Sequence, residues 1–174
     1  MKYFSGFSLK NDDIFFKEIL YNTEFSVAGF SYGAIKAFKY VEDEIKAGRR
    51  VDVLQLISPA FFQTKNDKFK RLQTLSYTKS KDIYLNGFLK SCFAPYKKKS
   101  IDTKDTTIEE LEELLSYVWD KQSIQKLIDF GVRVEVYLGE QDSIIDVESA
   151  RTFFKNITTT TYIKGANHFL QTGE

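Results

Sequence analysis

Ser31 lies between Gly29 and Gly33 in the pattern Gly-x-Ser-x-Gly, and His168 is the chain's only histidine. A serine hydroxyl is a weak nucleophile until a base takes its proton, and imidazole is the usual base near neutral pH. The two residue types together point to acyl transfer through a serine ester. The glycine spacing has a steric reason. A serine on a tight strand-to-helix turn needs neighbours without side chains, because the two backbones approach closely there. The turn also lifts Oγ to a helix N-terminus, where the dipole favours developing negative charge. With 9 glycines in 174 residues, chance places this pattern in such a chain only about 0.03 times, so it reads as a nucleophile elbow.

An imidazole base needs an acid to hold its tautomer and to stabilise the imidazolium. Asp142 follows a strand-like stretch, Val132 to Leu138, through Gly139-Glu140-Gln141. The order serine, aspartate, histidine is the one expected with such an elbow. Asp146 and Glu140 are nearby rivals for the acid. A tetrahedral intermediate requires two hydrogen-bond donors at its oxyanion. The backbone N–H of Tyr32, directly after the serine, is the first candidate, and the N–H of Phe7, in the loop after the first strand, is the second.

These residues must be positioned by alternating strands and helices. Lys2 to Phe7 reads as a strand running into a loop, and Asp12 to Leu20 as a helix capped by Asn11 or Asp12. Phe25 to Ala28 reads as a buried strand before the elbow. Ala34 to Ala47 has helical apolar spacing and a C-cap glycine, Gly48. Val51 to Ile57 is a further strand. Beyond the insertion, Ser123 to Phe130 reads as a helix, Val132 to Leu138 as a strand, Val147 to Phe154 as a helix and Thr159 to Ile163 as the last strand. The fold class expected is α/β, with a mostly parallel sheet of about five or six strands.

An insertion from about 61 to 120 interrupts the rhythm, and a segment that long in a compact domain usually covers a binding site. Lys65 to Lys99 holds ten basic side chains against Asp67 and Asp82. Ser100 to Asp120 holds seven acidic ones against Lys104, with a helical portion around Ile108 to Trp119. A basic lid would steer an acidic macromolecular substrate to the site. A lid neutralised by the acidic helix beside it reads equally well.

The chain is expected to be one domain throughout 1–174. Hydrophobic residues make up 43% and charged residues 28%, which suits a globular core, and the 16 Phe and 10 Tyr supply large rings for that core or for an apolar cavity. A net charge of +1 argues against a general nucleic-acid binder. One cysteine, Cys92, cannot form an intrachain disulfide, and neither a signal peptide nor a membrane span is legible, so the expectation is cytoplasmic. No cofactor is called for. One histidine and one cysteine do not make the usual zinc ligand set, and no glycine-rich phosphate loop is present.

With these residues in place, the chain resembles the α/β-hydrolase superfamily over nearly its whole length. Leu56-Ile57-Ser58-Pro59-Ala60 and Gly139-Glu140-Gln141-Asp142 are similar to that superfamily's phrases. More closely, Phe4-Ser5-Gly6-Phe7 and Val27-Ala28-Gly29-Phe30-Ser31-Tyr32-Gly33-Ala34-Ile35-Lys36 resemble pimeloyl-acyl-carrier-protein methyl ester esterases of the BioV type. The resemblance implies hydrolysis of a methyl ester on a carrier-bound pimeloyl chain in biotin synthesis, releasing methanol. Acyl carrier protein is then the implied partner, with Lys65, Lys68, Lys70 and Arg71 as its contacts. Two departures stand out: Ser5 occupies the place of the family's usual histidine, and the sheet lacks the strands that usually precede the oxyanion loop. The competing expectations are a small-molecule carboxylesterase or thioesterase without a carrier, and a non-catalytic binder on the same fold. No nucleic-acid or membrane partner is expected, and a monomer is the simplest assembly.

Overall fold

The computed structural model describes residues 1–173. The strands are β1 (Lys2–Phe4), β2 (Leu9–Lys10), β3 (Ser26–Phe30), β4 (Val53–Ile57), β5 (Asp102–Thr103), β6 (Arg133–Gly139) and β7 (Thr159–Ile163). The helices are α1 (Tyr32–Lys46), α2 (Asp67–Lys79), α3 (Lys81–Phe93), α4 (Ile108–Ser116), α5 (Lys121–Asp129) and α6 (Val147–Phe154). Five strands form one sheet in the order β1-β3-β4-β6-β7, every neighbouring pair parallel. A separate antiparallel ribbon joins β2 to β5 and ties the N-terminal loop to the insertion.

The central strands are buried on both faces, as parallel strands covered by crossover segments must be, and they read as apolar runs for that reason. Alternate residues serve different clusters. Leu54 and Leu56 of β4 pack with Ile35, Ile124 and Phe154 from α1, α5 and α6. Ile57 joins Phe16, Phe30, Phe93 and Phe169 in the second cluster. The one polar residue in β4, buried Gln55, is fully used. Its amide donates to the Ile19 carbonyl at 2.8 Å and accepts from the Tyr21 N–H at 3.0 Å, which lashes the N-terminal loop to the sheet.

Two elements depart from expectation. Asp12 to Leu20 is not an α-helix but a short 3₁₀ turn, Asp12–Phe15. Neither expected cap acts as one: Asn11 donates to Asp102 at 2.8 Å, and the Asp12 carboxylate turns inward to the Gly6 N–H. The helix expected to reach Trp119 stops at Ser116. Trp119 is drawn away, its indole N–H bound to the Ala60 carbonyl at 2.8 Å and its backbone N–H to Gln63 at 2.7 Å. The basic stretch forms two consecutive helices, α2 and α3. Asn66 caps α2 through the Phe69 N–H at 2.9 Å, and a Thr107–Glu110 capping box starts α4.

The acidic segment divides its charges: Asp105 pairs with Lys81 of α3, and Glu112 lies near Lys70 and Arg71 of α2. Glu110 and Glu113 of α4 pair instead with Lys36 at 3.1 Å and Lys39 at 2.5 Å on α1. Tyr32 also donates to Glu113. Burial opposes the charge on Glu113, but the bonds from Lys39 and Tyr32 outweigh it and hold the carboxyl below its ordinary value.

Candidate active site

Ser31 stands between β3 and α1 at φ 54° and ψ −116°. A non-glycine residue held there costs on the order of 1–3 kcal/mol, which the surrounding packing must supply. Its two glycines have no freedom to be anything else. A Cβ on Gly29 would lie 2.2 Å from the Gly33 carbonyl oxygen, and one on Gly33 would lie 2.0 Å from that of Phe4. Ser31 occupies the N-cap position of α1 yet does not cap it with its side chain. The hydroxyl faces His168 Nε2 instead, at 3.0 Å.

His168 Nδ1 meets Asp142 Oδ2 at 2.6 Å, and both side chains are fully buried. A buried carboxylate accepts the Nδ1 proton, which leaves Nε2 as the acceptor facing the serine. The other oxygen of Asp142 accepts from the N–H groups of Ile144 at 2.8 Å and Ile145 at 3.3 Å. The carboxylate is therefore held through both oxygens, as an orienting group requires. The Phe30 ring lies 4.9 Å from the imidazole and limits its rotation.

The rival acids are engaged elsewhere. Asp146 caps α6 through the Ser149 N–H at 3.2 Å and also accepts from Thr64 at 3.0 Å. Burial opposes its charge, but the bonds from Ser149 and Thr64 prevail and keep its carboxyl below the ordinary range. Glu140 accepts from the Gly165 N–H at 2.7 Å and so fixes the turn leading to the histidine.

Tyr32 opens α1, so its N–H has no acceptor within the helix. Phe7 is buried with its ring edge-on to Tyr32, centroids 6.2 Å apart. The loop carrying Phe7 is pinned from beneath by Asp12, whose carboxylate accepts from the Gly6 N–H at 3.1 Å and from the Tyr3 hydroxyl at 2.9 Å. Burial, with Asp12 beside it, pushes the Tyr3 phenol far up, so it stays a neutral donor.

Several supporting residues carry no recognisable motif. Asn167 is fully buried and holds the histidine loop from both sides, donating to the Phe93 carbonyl at 2.8 Å and accepting from Phe169 and Gln171 at 3.0 Å each. Ser58, at φ 40°, donates to the His168 carbonyl at 2.8 Å. Gly139 lets the same loop approach, because a Cβ there would sit 2.3 Å from the Asn167 oxygen. The Gly139 and Ser58 phrases were visible in the sequence as strand ends, but their partners lie more than 25 residues away.

A cavity of about 470 Å³ adjoins the site, within the range of small-molecule sites. Its inner wall includes Phe7, Ile144 and Ile145, and α2, α3 and α4 contribute Phe69, Phe88 and Leu111. Of the four basic residues expected to contact a carrier, Lys65 faces this cavity and the other three lie on α2. Lys65 is half-buried and lines this cavity, with Nζ 5.6 Å from the Phe69 ring. Lys68 and Arg71 are exposed on α2, and Lys70 is half-buried beside Arg71 near Glu112.

No protein-family model matches the chain, and no curated protein matches it. Solved structures do. Carboxylesterase CesB (YbfK) from Bacillus subtilis superposes with a TM-score of 0.54 at 18% identity, over 90% of this chain and 57% of that one. The bromoperoxidase from Bacillus anthracis gives 0.63 at 14% identity, over 90% and 64%. ClbQ from the colibactin NRPS/PKS pathway gives 0.53 at 12% identity, over 88% and 64%. The chain thus spans less than two thirds of these structures' own lengths. The fold they share with it is that of the α/β-hydrolases, here reduced to five parallel strands with flanking helices.

Proposed function

We propose that this protein is a serine carboxylesterase with Ser31 as nucleophile, His168 as general base and Asp142 as the acid that orients it. The reading rests on one observation, the buried relay from Asp142 through His168 to a serine on a strained turn, at 2.6 and 3.0 Å. His168 Nε2 takes the Ser31 proton as Oγ attacks the ester carbonyl. The N–H groups of Tyr32 and Phe7 receive the oxyanion. His168 then gives its proton to the leaving alcohol, and water, activated by the same imidazole, releases the acid and restores the serine.

The substrate we propose is the methyl ester of a pimeloyl chain on acyl carrier protein, with methanol as the first product. A cavity bordered by Phe7 and by rings and aliphatic chains such as Phe69, Phe88 and Leu111 suits the acyl chain. The exposed basic side chains of α2 and α3, in the insertion that would act as the lid, suit an acidic carrier, with Lys68, Lys70 and Arg71 as its contacts; Lys65 lines the cavity. The engagement of Glu110 and Glu113 by α1 supports this reading, because it keeps two acidic side chains of α4 off the basic helices.

The test is hydrolysis of pimeloyl-acyl-carrier-protein methyl ester beside an aryl acetate, by the parent and by Ser31→Ala. Cleavage of the carrier ester, lost in the variant, is the expected result. Cleavage of the aryl ester alone keeps Ser31 as nucleophile and removes the carrier from the reading. Activity that survives in Ser31→Ala removes the serine mechanism.

A further inference from the structure

Gly87 stands in the interior of α3, six residues from either end, where glycine is the least favourable residue apart from proline. The other described glycines each have a backbone reason: a positive φ, or a neighbour that leaves no room for a Cβ. Gly87 has neither, and a Cβ built on it meets nothing within 4 Å. Helix geometry does not ask for it, and packing within the protein does not ask for it.

What Gly87 does share is the wall of the 470 Å³ cavity. Ile83, Tyr84, Gly87, Phe88 and Ser91 of α3 form one face of that cavity at helical spacing. Gly87 is solvent-exposed and Ile83 is 74% exposed, whereas Phe7 at the inner wall is 1% exposed. The α3 face is therefore the outer rim. An apolar ligand crossing this rim would pass beside Ile83 where Gly87 presents no side chain.

We propose that Gly87 is a specificity-determining residue that keeps open the mouth through which the far end of a long acyl chain leaves the cavity. This rests on the reading of the site as an acyl hydrolase, and it narrows the substrate class to esters whose acyl part extends beyond the cavity. A chain tethered at its far end to a carrier belongs to that class.

The experiment uses Gly87→Ala and Gly87→Leu in the full chain, with p-nitrophenyl acetate and p-nitrophenyl decanoate as substrates. Gly87→Ala is expected to raise Tm by about 2–4 °C, because it adds helix propensity at no steric cost. Gly87→Leu is expected to lower the decanoate-to-acetate ratio of kcat/KM tenfold or more, roughly the effect of blocking a hydrophobic subsite. A lowered Tm in Gly87→Ala, or an unchanged decanoate-to-acetate ratio in Gly87→Leu, overturns the inference. Binding is read separately, as the thermal shift caused by decanoic acid in Ser31→Ala with and without Gly87→Leu. Loss of that shift in the double variant supports the open mouth even where neither ester is cleaved, an outcome that would remove the esterase reading alone. A shift unaffected by Gly87→Leu overturns the inference.

Discussion

Removing the Ser31 hydroxyl leaves His168 with no proton to take, so Ser31→Ala is expected to lower kcat on an aryl ester by at least about 10⁴-fold. Asp142→Asn preserves the shape of the relay but presents an amide to Nδ1, which favours the wrong tautomer; a loss of about 10⁴-fold in kcat with little change in KM is expected in the same assay. The rival carboxylates separate cleanly from it. Asp146→Ala removes a cap on α6, so its expected effect is a stability loss of about 1 kcal/mol in urea unfolding, with kcat within a few-fold of the parent. A collapse of kcat in Asp146→Ala alongside an active Asp142→Asn would reverse the assignment of the acid. At this scale the sequence was informative where chemistry restricts residue type. A single histidine, a serine between glycines and an acid after a strand leave few combinations. It was silent on Asn167 and Ser58, because a buried amide or hydroxyl can serve any backbone and nothing in its own surroundings along the chain says which.

The elements explain how that relay is held under strain. The elbow works only while β1, β3 and the start of α1 touch at backbone distance, so a side chain at Gly33 must push β1 away from α1. Gly33→Ala is expected to cost about 3 kcal/mol or more in denaturant unfolding. The α4–α1 latch gives a pH-dependent signature. Glu113 is held below its ordinary value of 4.5. A carboxyl with a depressed folded pKa contributes stability that is complete above its unfolded pKa and is lost as pH falls through the folded one. The Tm gap between the parent and Glu113→Gln is therefore expected at neutral pH and should close progressively below about pH 4.5. A gap that persists unchanged to the lowest pH would mean the latch is packing, not charge. Helices with strong apolar spacing, such as α1 and α6, were legible in the sequence within two residues at either end. The 3₁₀ turn at Asp12–Phe15 was not, because the competing demand on Asp12 comes from Gly6 and Tyr3.

Over the whole molecule, charge is near balance while its distribution is not, and the proposed carrier reaction should depend on that distribution. Exposed Lys68, Arg71, Lys79 and Lys90 lie on α2 and α3. Ionic screening shortens the reach of such charges to about 10 Å at 0.1 M salt. The kcat/KM on a carrier-linked ester is expected to fall steeply as salt rises and to drop about tenfold in Lys68→Glu/Arg71→Glu, while an aryl acetate stays flat in both comparisons. A carrier reaction indifferent to salt would remove the docking role of these helices. No helix among the described residues is long and apolar enough to cross a membrane. By itself, the sequence determined the alternation of strands and helices and the tight turn at Gly29-x-Ser31-x-Gly33, and it left His168 as the one candidate base, because periodicity, steric need and scarcity of histidine are local properties of the chain. Only the tertiary structure decided the order β1-β3-β4-β6-β7, which carboxylate meets His168, the pairing of α4 with α1 and the cavity beside Gly87. Each of these depends on which distant segments meet, and burial, hydrogen-bond satisfaction and packing settle that over the whole fold at once.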